Sequence, residues 1–394
     1  MLLVRNARLY TVASGVIERG SILIENGLIA AVGPAVTAPA GVRVLDATGL
    51  TVTPGLIDAH SHLGVTEQGI GAEGSDGNEM TEPATPQMRA IDGINPHEEG
   101  FREAIQAGIT AAWVTPGSAN VIGGMAATVR THGHTVDEML LLEYSGLKAA
   151  LGENPKRVHS QKGKLMTRMG NAAAFREWFY KAKTYMRKQD AGRLKGEEAE
   201  FDLKLEPLVS VLRGQVPVRI HAHRHDDIMT AIRLCNEFAV RFTIEHCTEG
   251  HKLVAELRAQ PNLVGVTVGP TMSARSKVEL VDKTWATAGV LAAAGIRVAL
   301  TTDHPVVPVQ YLPVAAGYAM KNGMDPDQAL RAVTLSAAEL CGVGDRIGSI
   351  EPGKDADLAI FTGDPFVIET ETAATIVRGQ VVYRNSRVAL GGDH

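Results

Sequence analysis

Four stretches of this chain end an apolar run in side chains able to hold a metal ion: "DAHSH" over 58–62, "RIHAH" over 219–223, "IEHC" over 244–247 and "TTDH" over 301–304. Residues two apart on a strand share a face, so His60 and His62 point the same way, as do His221 and His223. Imidazole and carboxylate suit a borderline divalent cation such as Zn, Mn, Fe or Ni that keeps a position open for water. Water held there drops from a pKa of ~15.7 to ~7 and becomes a nucleophile. An ionised Asp303 beside it can help hold the ion, accept the proton and deliver it to a leaving nitrogen. Taken singly, each stretch reads as easily as structure: His246 as a core histidine, Asp303 as a helix cap. Their joint placement is what core packing alone does not produce.

The elements that must position them are legible as apolar runs: "TPGLIDAH", "GITAAWVTP", "AATVRTHG", "GLKAALGE", "VPVRIHAH", "RFTIEHC", "LVGVTVGP" and "RVALTTDHP". They alternate with helical patterns, the mark of α/β proteins with a parallel sheet and crossover helices. Eight such strands close a (β/α)8 TIM barrel, and residues 54–347 fit its usual ~250 residues with insertions. The metal-competent groups then sit at C-terminal strand ends, where barrel enzymes build their active sites. Helices are expected over "NAAAFREWFYKAKTYMRKQ", "DDIMTAIRLCNEFA", "HKLVAELRAQ" and "KTWATAGVLAAAG", from apolar spacings of three and four. One more runs through "DPDQALRAVTLSAAELCG", with Asp325 as N-cap, Pro326 in the first turn and Gly342 as the stop. Residues 1–53 and 348–394 read instead as short strands with Gly and Pro turns. They predict a small composite β-sandwich domain formed by both chain ends, with the barrel domain inserted between them.

The loops and the charge balance narrow the partners. "PGSANVIGG" over 116–124 offers backbone amides and Asn120 to a substrate carboxylate or carbonyl, and equally makes a tight turn. His132 and His134, after the third strand, read as a polar loop or as groups polarising a substrate. Lys156 and Arg157 read as exposed cations or as a lure for a carboxylate. Residues 156–195 hold twelve Lys and Arg against Glu177 and Asp190, a solvated helical excursion, an anion-attracting lid or a subunit contact. A formal charge of -5 speaks against nucleic acid or an anionic membrane as partner. No apolar run approaches the ~20 residues of a membrane helix. "MLLVRNARLYTVASG" lacks the unbroken apolar core of a secretory signal, so a cytoplasmic location is expected. Cys235, Cys247 and Cys341 form no CxxC pair and predict neither a disulfide framework nor a thiolate metal site.

In their order along the chain these motifs resemble the amidohydrolase superfamily of metal-dependent hydrolases. "TPGLIDAHSH" is similar to its first-strand signature, "IHAH" to the fifth, "IEHC" to the sixth and "TTDHP" to the eighth, and "GSIEPGKDADLAIF" to its re-entry into a split β-sandwich. The resemblance spans essentially the whole chain and is nearest the imidazolonepropionase-like and Xaa-Pro dipeptidase-like branch. It implies one or two divalent ions, zinc first, on His60, His62, His221 and His246, with Asp303 as ligand and proton shuttle. His246 and Asp303 then stand at the reacting centre. In some branches the fifth- and sixth-strand histidines take a second ion, bridged by a fourth-strand carboxylate. Here that bridge is a carbamylated Lys148 or an unmodified Glu153; with neither, the site holds one ion.

The pattern also departs from its relatives. Deaminase and imidazolonepropionase branches carry a Glu three residues after the fifth-strand His, where this chain has Arg224. His223 is left to touch a substrate carbonyl, to act as a ligand in place of His221, or to serve the structure alone. The expected activity is hydrolysis of an amide or cyclic amide C–N bond in a small molecule, with a dipeptide or N-acyl amino acid as first trial substrates. The alternatives are a deaminase of a small heterocycle and a non-catalytic barrel scaffold. Relatives commonly assemble, so the resemblance implies a homo-oligomer.

Overall fold

The computed structural model describes residues 1–37, 39–196 and 200–391. The chain opens with strands β1 (Leu2–Tyr10), β2 (Val16–Glu25), β3 (Leu28–Gly33), β4 (Arg43–Asp46) and β5 (Thr51–Pro54). It then enters the barrel with β6 (Leu56–Ser61), β7 (Ile109–Val114), β8 (Ile122–Arg130) and β9 (Leu140–Ala150). The barrel continues with β10 (Val218–Ala222), β11 (Phe242–His246), β12 (Leu263–Val268) and β13 (Val298–Leu300). Three strands follow: β14 (Leu358–Phe361), β15 (Thr372–Val377) and β16 (Gln380–Arg384).

The terminal strands form one sheet in the order β16-β15-β14-β5-β1-β2-β3, with β4 also on β1. Strand β1 changes partner along its length, pairing β4 at Leu2–Arg5 and β5 at Arg8–Leu9. The two chain ends meet where β5 runs antiparallel to β14, Pro54 opposite Leu358. Val4, Ile22, Leu45, Ile360 and Ile376 give this sheet a core of its own. The fold is thus an α/β barrel with a second sheet built from both ends of the chain.

The barrel strands form an eight-stranded sheet in sequence order from β6 to β13. β6, β7 and β8 are buried at every position, as strands covered on both faces must be. Side-chain and loop bonds span the gap between the edge strands β6 and β13. The His62 amide donates to the His304 carbonyl at 2.9 Å, and the Thr302 hydroxyl donates to Asp58 at 2.5 Å.

One strand runs against the expected direction. β8 is antiparallel to both β7 and β9, with Ala111 opposite Arg130 and Met125 opposite Leu147. Parallel neighbours need a crossover of a dozen or more residues. Residues 115–121 and 131–139 are too few, so the chain makes a hairpin at each end of β8. The segment "AATVRTHG" is therefore a reversed strand, and its C-terminal end lies at the floor of the barrel.

The helices also differ in detail. The basic segment carries the helix Arg168–Leu194, which buries Phe175, Phe179 and Tyr185 and turns its cations outward, Arg176 to Glu237 at 2.7 Å and Lys181 to Glu177 at 2.6 Å. "DPDQALRAVTLSAAELCG" is two helices, Pro326–Ala332 and Leu335–Leu340. Asp325 caps the first, accepting from the amides of Asp327 and Gln328. The break falls at Val333 and Thr334 because the Val333 carbonyl accepts the Ile57 amide of β6 at 2.8 Å, taking it out of the helical ladder.

Candidate metal centre

The four motifs converge at the mouth of the barrel. His60 ends β6, His221 and His223 end β10, His246 ends β11, and Asp303 follows β13. Each of three imidazoles is gripped through Nδ1 by an acceptor: His60 by Glu245 Oε2 at 2.7 Å, His62 by the Thr115 carbonyl at 2.8 Å, His246 by the Gly269 carbonyl at 2.8 Å. Such acceptors fix the Nδ1–H tautomer and turn the Nε2 lone pair inward. His223 Nδ1 lies 2.7 Å from the Thr248 hydroxyl. Burial holds His60, His221, His223 and His246 below the usual histidine range, which keeps them neutral, the form that binds metal.

Two groups of potential ligands result among the described residues, His60 with His246 and Asp303, and His221 with His223 and His246. Within each, the ligand atoms lie inside 4.8 Å of one another. Asp303 Oδ1 is 3.3 Å from His62 Nε2 and 3.8 Å from His60 Nε2. Burial pushes the Asp303 carboxyl upward, but the imidazoles of His246 and His62 outweigh it and hold the group well below the carboxylate range. His246, Cys247 and Asp303 have φ of 68°, 44° and 53°. Non-glycine residues pay about 1–2 kcal/mol each for that left-handed backbone, here at the turns that aim the ligands.

Lys148 stands between the two groups. Its Nζ lies 2.9 Å from His60 Nε2, fully buried. Burial pulls the amine down to about 8 against the attraction of Glu245 and Asp303. The neutral amine, the form that condenses with carbon dioxide, is therefore a larger share near neutral pH than in an exposed lysine. Glu153 is placed differently. It opens the helix Glu153–Ser160, and its backbone amide donates to Glu279 Oε2 at 3.0 Å. Its carboxylate belongs to neither ligand group among the described residues.

Two expected substrate contacts lie elsewhere. Asn120 is 3% exposed, and both amide hydrogens and the oxygen are engaged, by the Glu79 carbonyl at 2.6 Å, Thr85 Oγ1 at 2.8 Å and His159 Nε2 at 2.8 Å. It ties loops together and has no donor left for a substrate. His132 follows the reversed strand β8, next to Thr131, whose amide donates to the Thr110 carbonyl at the start of β7. It lines a floor pocket with Arg130 and Arg378, at the far end of the barrel from His60, so the substrate-polarising role is corrected for both His132 and His134.

Residues 51–382 match the model of the amidohydrolase family. The chain belongs to that family. Over 408 aligned residues it is 32% identical to the amidohydrolase tasK of Hapsidospora irregularis, covering 95% of this chain and 41% of that protein. The chain thus spans under half the length of that relative. It is 28% identical to the imidazolonepropionase of Geobacillus kaustophilus, covering 95% of this chain and 93% of that one. An amidohydrolase structure from Thermotoga maritima superposes with a TM-score of 0.94 at 40% identity, covering 98% of this chain and all of that one.

In this member of the amidohydrolase family, several site residues lie outside the four motifs' obvious ligands. Glu245 takes the Arg219 guanidinium at 2.9 and 3.0 Å, and Arg219 lies 3.6 Å above the Trp113 ring. Burial would raise the Glu245 carboxyl, but Arg219 and His60 together hold it well below the carboxylate range. Asp58 accepts from the amides of His60 and Thr302, both at 3.2 Å. An Arg and a Glu inside otherwise apolar strands were the available signal for this pair. Glu279, in the turn Val278–Leu280 after β12, gave none.

Proposed function

We propose that this chain hydrolyses the C–N bond of a small amide or cyclic amide bearing a carboxylate, at a divalent-ion centre held by His60, His62, His246 and Asp303 with Lys148 between the two ligand groups. A dipeptide or an N-acyl amino acid fits this description. The observation that carries the reading is the set of inward Nε2 atoms, fixed from behind through Nδ1, around one ionised carboxylate. His221 adds a second sign of fit, since both its ring nitrogens lack partners although the residue is 1% exposed. Neutral imidazoles with a carboxylate are the donors that zinc and its borderline neighbours take. When bound, such an ion polarises a carbonyl and makes water acidic.

The chain's own residues divide the remaining work. Asp303, kept ionised beside His62, accepts the proton released on attack and returns it to the leaving nitrogen. Lys277 brings a positive charge to the same end, its Nζ 3.4 Å from Glu279 Oε1 with 23% of the side chain exposed. That charge favours a substrate carboxylate over a neutral group. Arg224 is paired with Asp226 at 3.0 Å and puts no acid where a ring nitrogen would need one, which favours amide hydrolysis over deamination.

A hydrolysis screen over dipeptides, N-acyl amino acids and lactams, each beside its carboxamide counterpart, tests the proposal. His60→Ala is the inactive control. Lys277→Met raises KM about tenfold for the carboxylates and leaves it unchanged for the carboxamides. Unchanged turnover in His60→Ala, or release of ammonia from ring substrates alone, refutes the reading.

A further inference from the structure

A cavity of about 990 Å³ lies at the floor of the barrel, between its strands and the terminal sheet, away from the chemistry above. Arg130, Arg378, His132 and His134 bring basic groups to it, and Leu2, Ile24 and Val377 an apolar wall. Glu138, the acidic residue in the lining, is already engaged, its carboxylate accepting the His134 amide at 2.8 Å. Arg130 is neutralised by Asp355 at 2.6 Å and Asp357 at 3.0 Å. Arg378 differs: it is exposed, and among the described residues its guanidinium has no ion pair. We propose that this cavity binds a small organic phosphate, its dianionic group meeting Arg378 and the imidazoles and its apolar body lying against Leu2, Ile24 and Val377.

The backbone around Arg378 is strained to hold it there. β2 and β3 are joined by the two-residue turn Asn26–Gly27, and β15 and β16 by Arg378–Gly379. All four residues have positive φ, 52°, 81°, 48° and 73° in that order. Turns of this kind favour Asn, Asp or Gly ahead of the glycine, because the backbone there is left-handed. Asn26 follows that preference and Arg378 breaks it, which places a cation at the cavity against the local conformational preference. The wall behind it is fixed. The Arg378 amide donates to Asp357 Oδ1 at 2.7 Å, and Asp357 Oδ2 accepts Arg130 Nε at 3.0 Å. A Cβ on Gly379 would lie 2.7 Å from Ile24 Cγ2 and 3.3 Å from the Gly27 Cα, so the two turns abut. A preformed wall binds a ligand without first having to be ordered. A phosphate monoester carries nearly two charges where a carboxylate carries one, which suits a cavity with several basic groups. The volume fits a small organic molecule and far exceeds inorganic phosphate.

The site is independent of the metal centre, and calorimetric titration of the full chain with phenyl phosphate, benzoate and inorganic phosphate near neutral pH tests it. The wild type binds phenyl phosphate at least tenfold more tightly than the other two, and its melting temperature rises with the ligand. Arg378→Asn gives the turn a residue it favours, so the variant folds and, without ligand, melts no lower than wild type. It binds phenyl phosphate at least tenfold more weakly, as loss of a charged hydrogen-bond donor requires. His132→Gln also weakens binding, whereas His60→Ala, at the mouth, leaves it unchanged. Equal affinity in wild type and folded Arg378→Asn overturns the site, and so does a loss of binding in His60→Ala, which would put the phosphate at the mouth. Benzoate bound as tightly as phenyl phosphate overturns the choice of a dianion. Neither heat nor a shift in melting temperature with any of the three overturns the proposal as a whole.

Discussion

Glu245→Gln separates what the buried carboxylate does for the fold from what it does for the site. Four donors point at its two oxygens: His60 Nδ1 at 2.7 Å, Arg219 Nε at 2.9 Å and Nη2 at 3.0 Å, and Thr243 Oγ1 at 2.5 Å. Glutamine offers one oxygen and turns an NH2 against donors. It also leaves a fully buried guanidinium without its counter-ion, a loss of about 3–5 kcal/mol. Arg219 keeps the Ala59 carbonyl at 2.8 Å and the Trp113 face in both proteins, so these contacts leave the difference unchanged. The expected loss is about 3–5 kcal/mol in urea unfolding of the ion-free protein. Ion affinity, read by chelator competition, falls about 10–100-fold because His60 loses the partner that orients it. The double variant Arg219→Met/Glu245→Gln removes the stranded charge, so it regains most of the stability and none of the ion affinity. A single variant within about 1 kcal/mol of wild type, or a double variant that recovers both properties together, refutes the argument.

Other outcomes follow from single groups. Lys148→Met stabilises the ion-free protein by up to about 3 kcal/mol at pH 7 while abolishing turnover, because a folded amine at about 8 against an ordinary 10.5 is a buried-charge penalty. Between those pH values the unfolded chain binds more protons, so wild-type stability rises with pH and the advantage of the Met variant shrinks. Thermal melts from pH 7 to 10.5 check both. Asp303→Asn lowers kcat about 10²–10⁴-fold, and excess ion does not restore it; recovery in excess ion would reduce Asp303 to a ligand. Cys235, Cys247 and Cys341 are buried, and burial pushes their thiols up, Cys341 to about 12. A thiol reagent therefore modifies none in the native protein and all three after denaturation.

The ligands were legible because each closes a strand, and strand ends announce themselves by the switch from apolar to polar residues. The orientation of β8 was equally available in the text, since seven residues after β7 cannot cross a barrel; the apolar pattern alone hid it, because alternation carries no direction. His132 was misplaced for that reason. Glu245 was hidden differently. Adjacent to His246, it should face the opposite side of a regular strand, but the left-handed turn at His246 brings both side chains to bear on one site. Periodicity cannot foresee a change of φ. Glu279 was out of reach, since it stands in a polar loop eleven residues past its strand and only tertiary packing brings it to the histidines. The helix break at Val333 belongs with it, made by a hydrogen bond from a strand more than 270 residues earlier.

The reversed strand has a consequence for how this barrel can diversify. Its hairpins leave the mouth without the helical crossover that a parallel third strand would have supplied, and they turn 131–139 to the opposite face. Variation there reaches the mouth only indirectly, as through the His134 ring packed against His97. The segments with length to spare on that side are 62–98 and the stretch after 151, which together hold Glu279's anchor, the Asn120 clasp and the approach to Lys148. A change of substrate range, natural or engineered, is open to those two insertions and to the loop after β12 that carries Lys277.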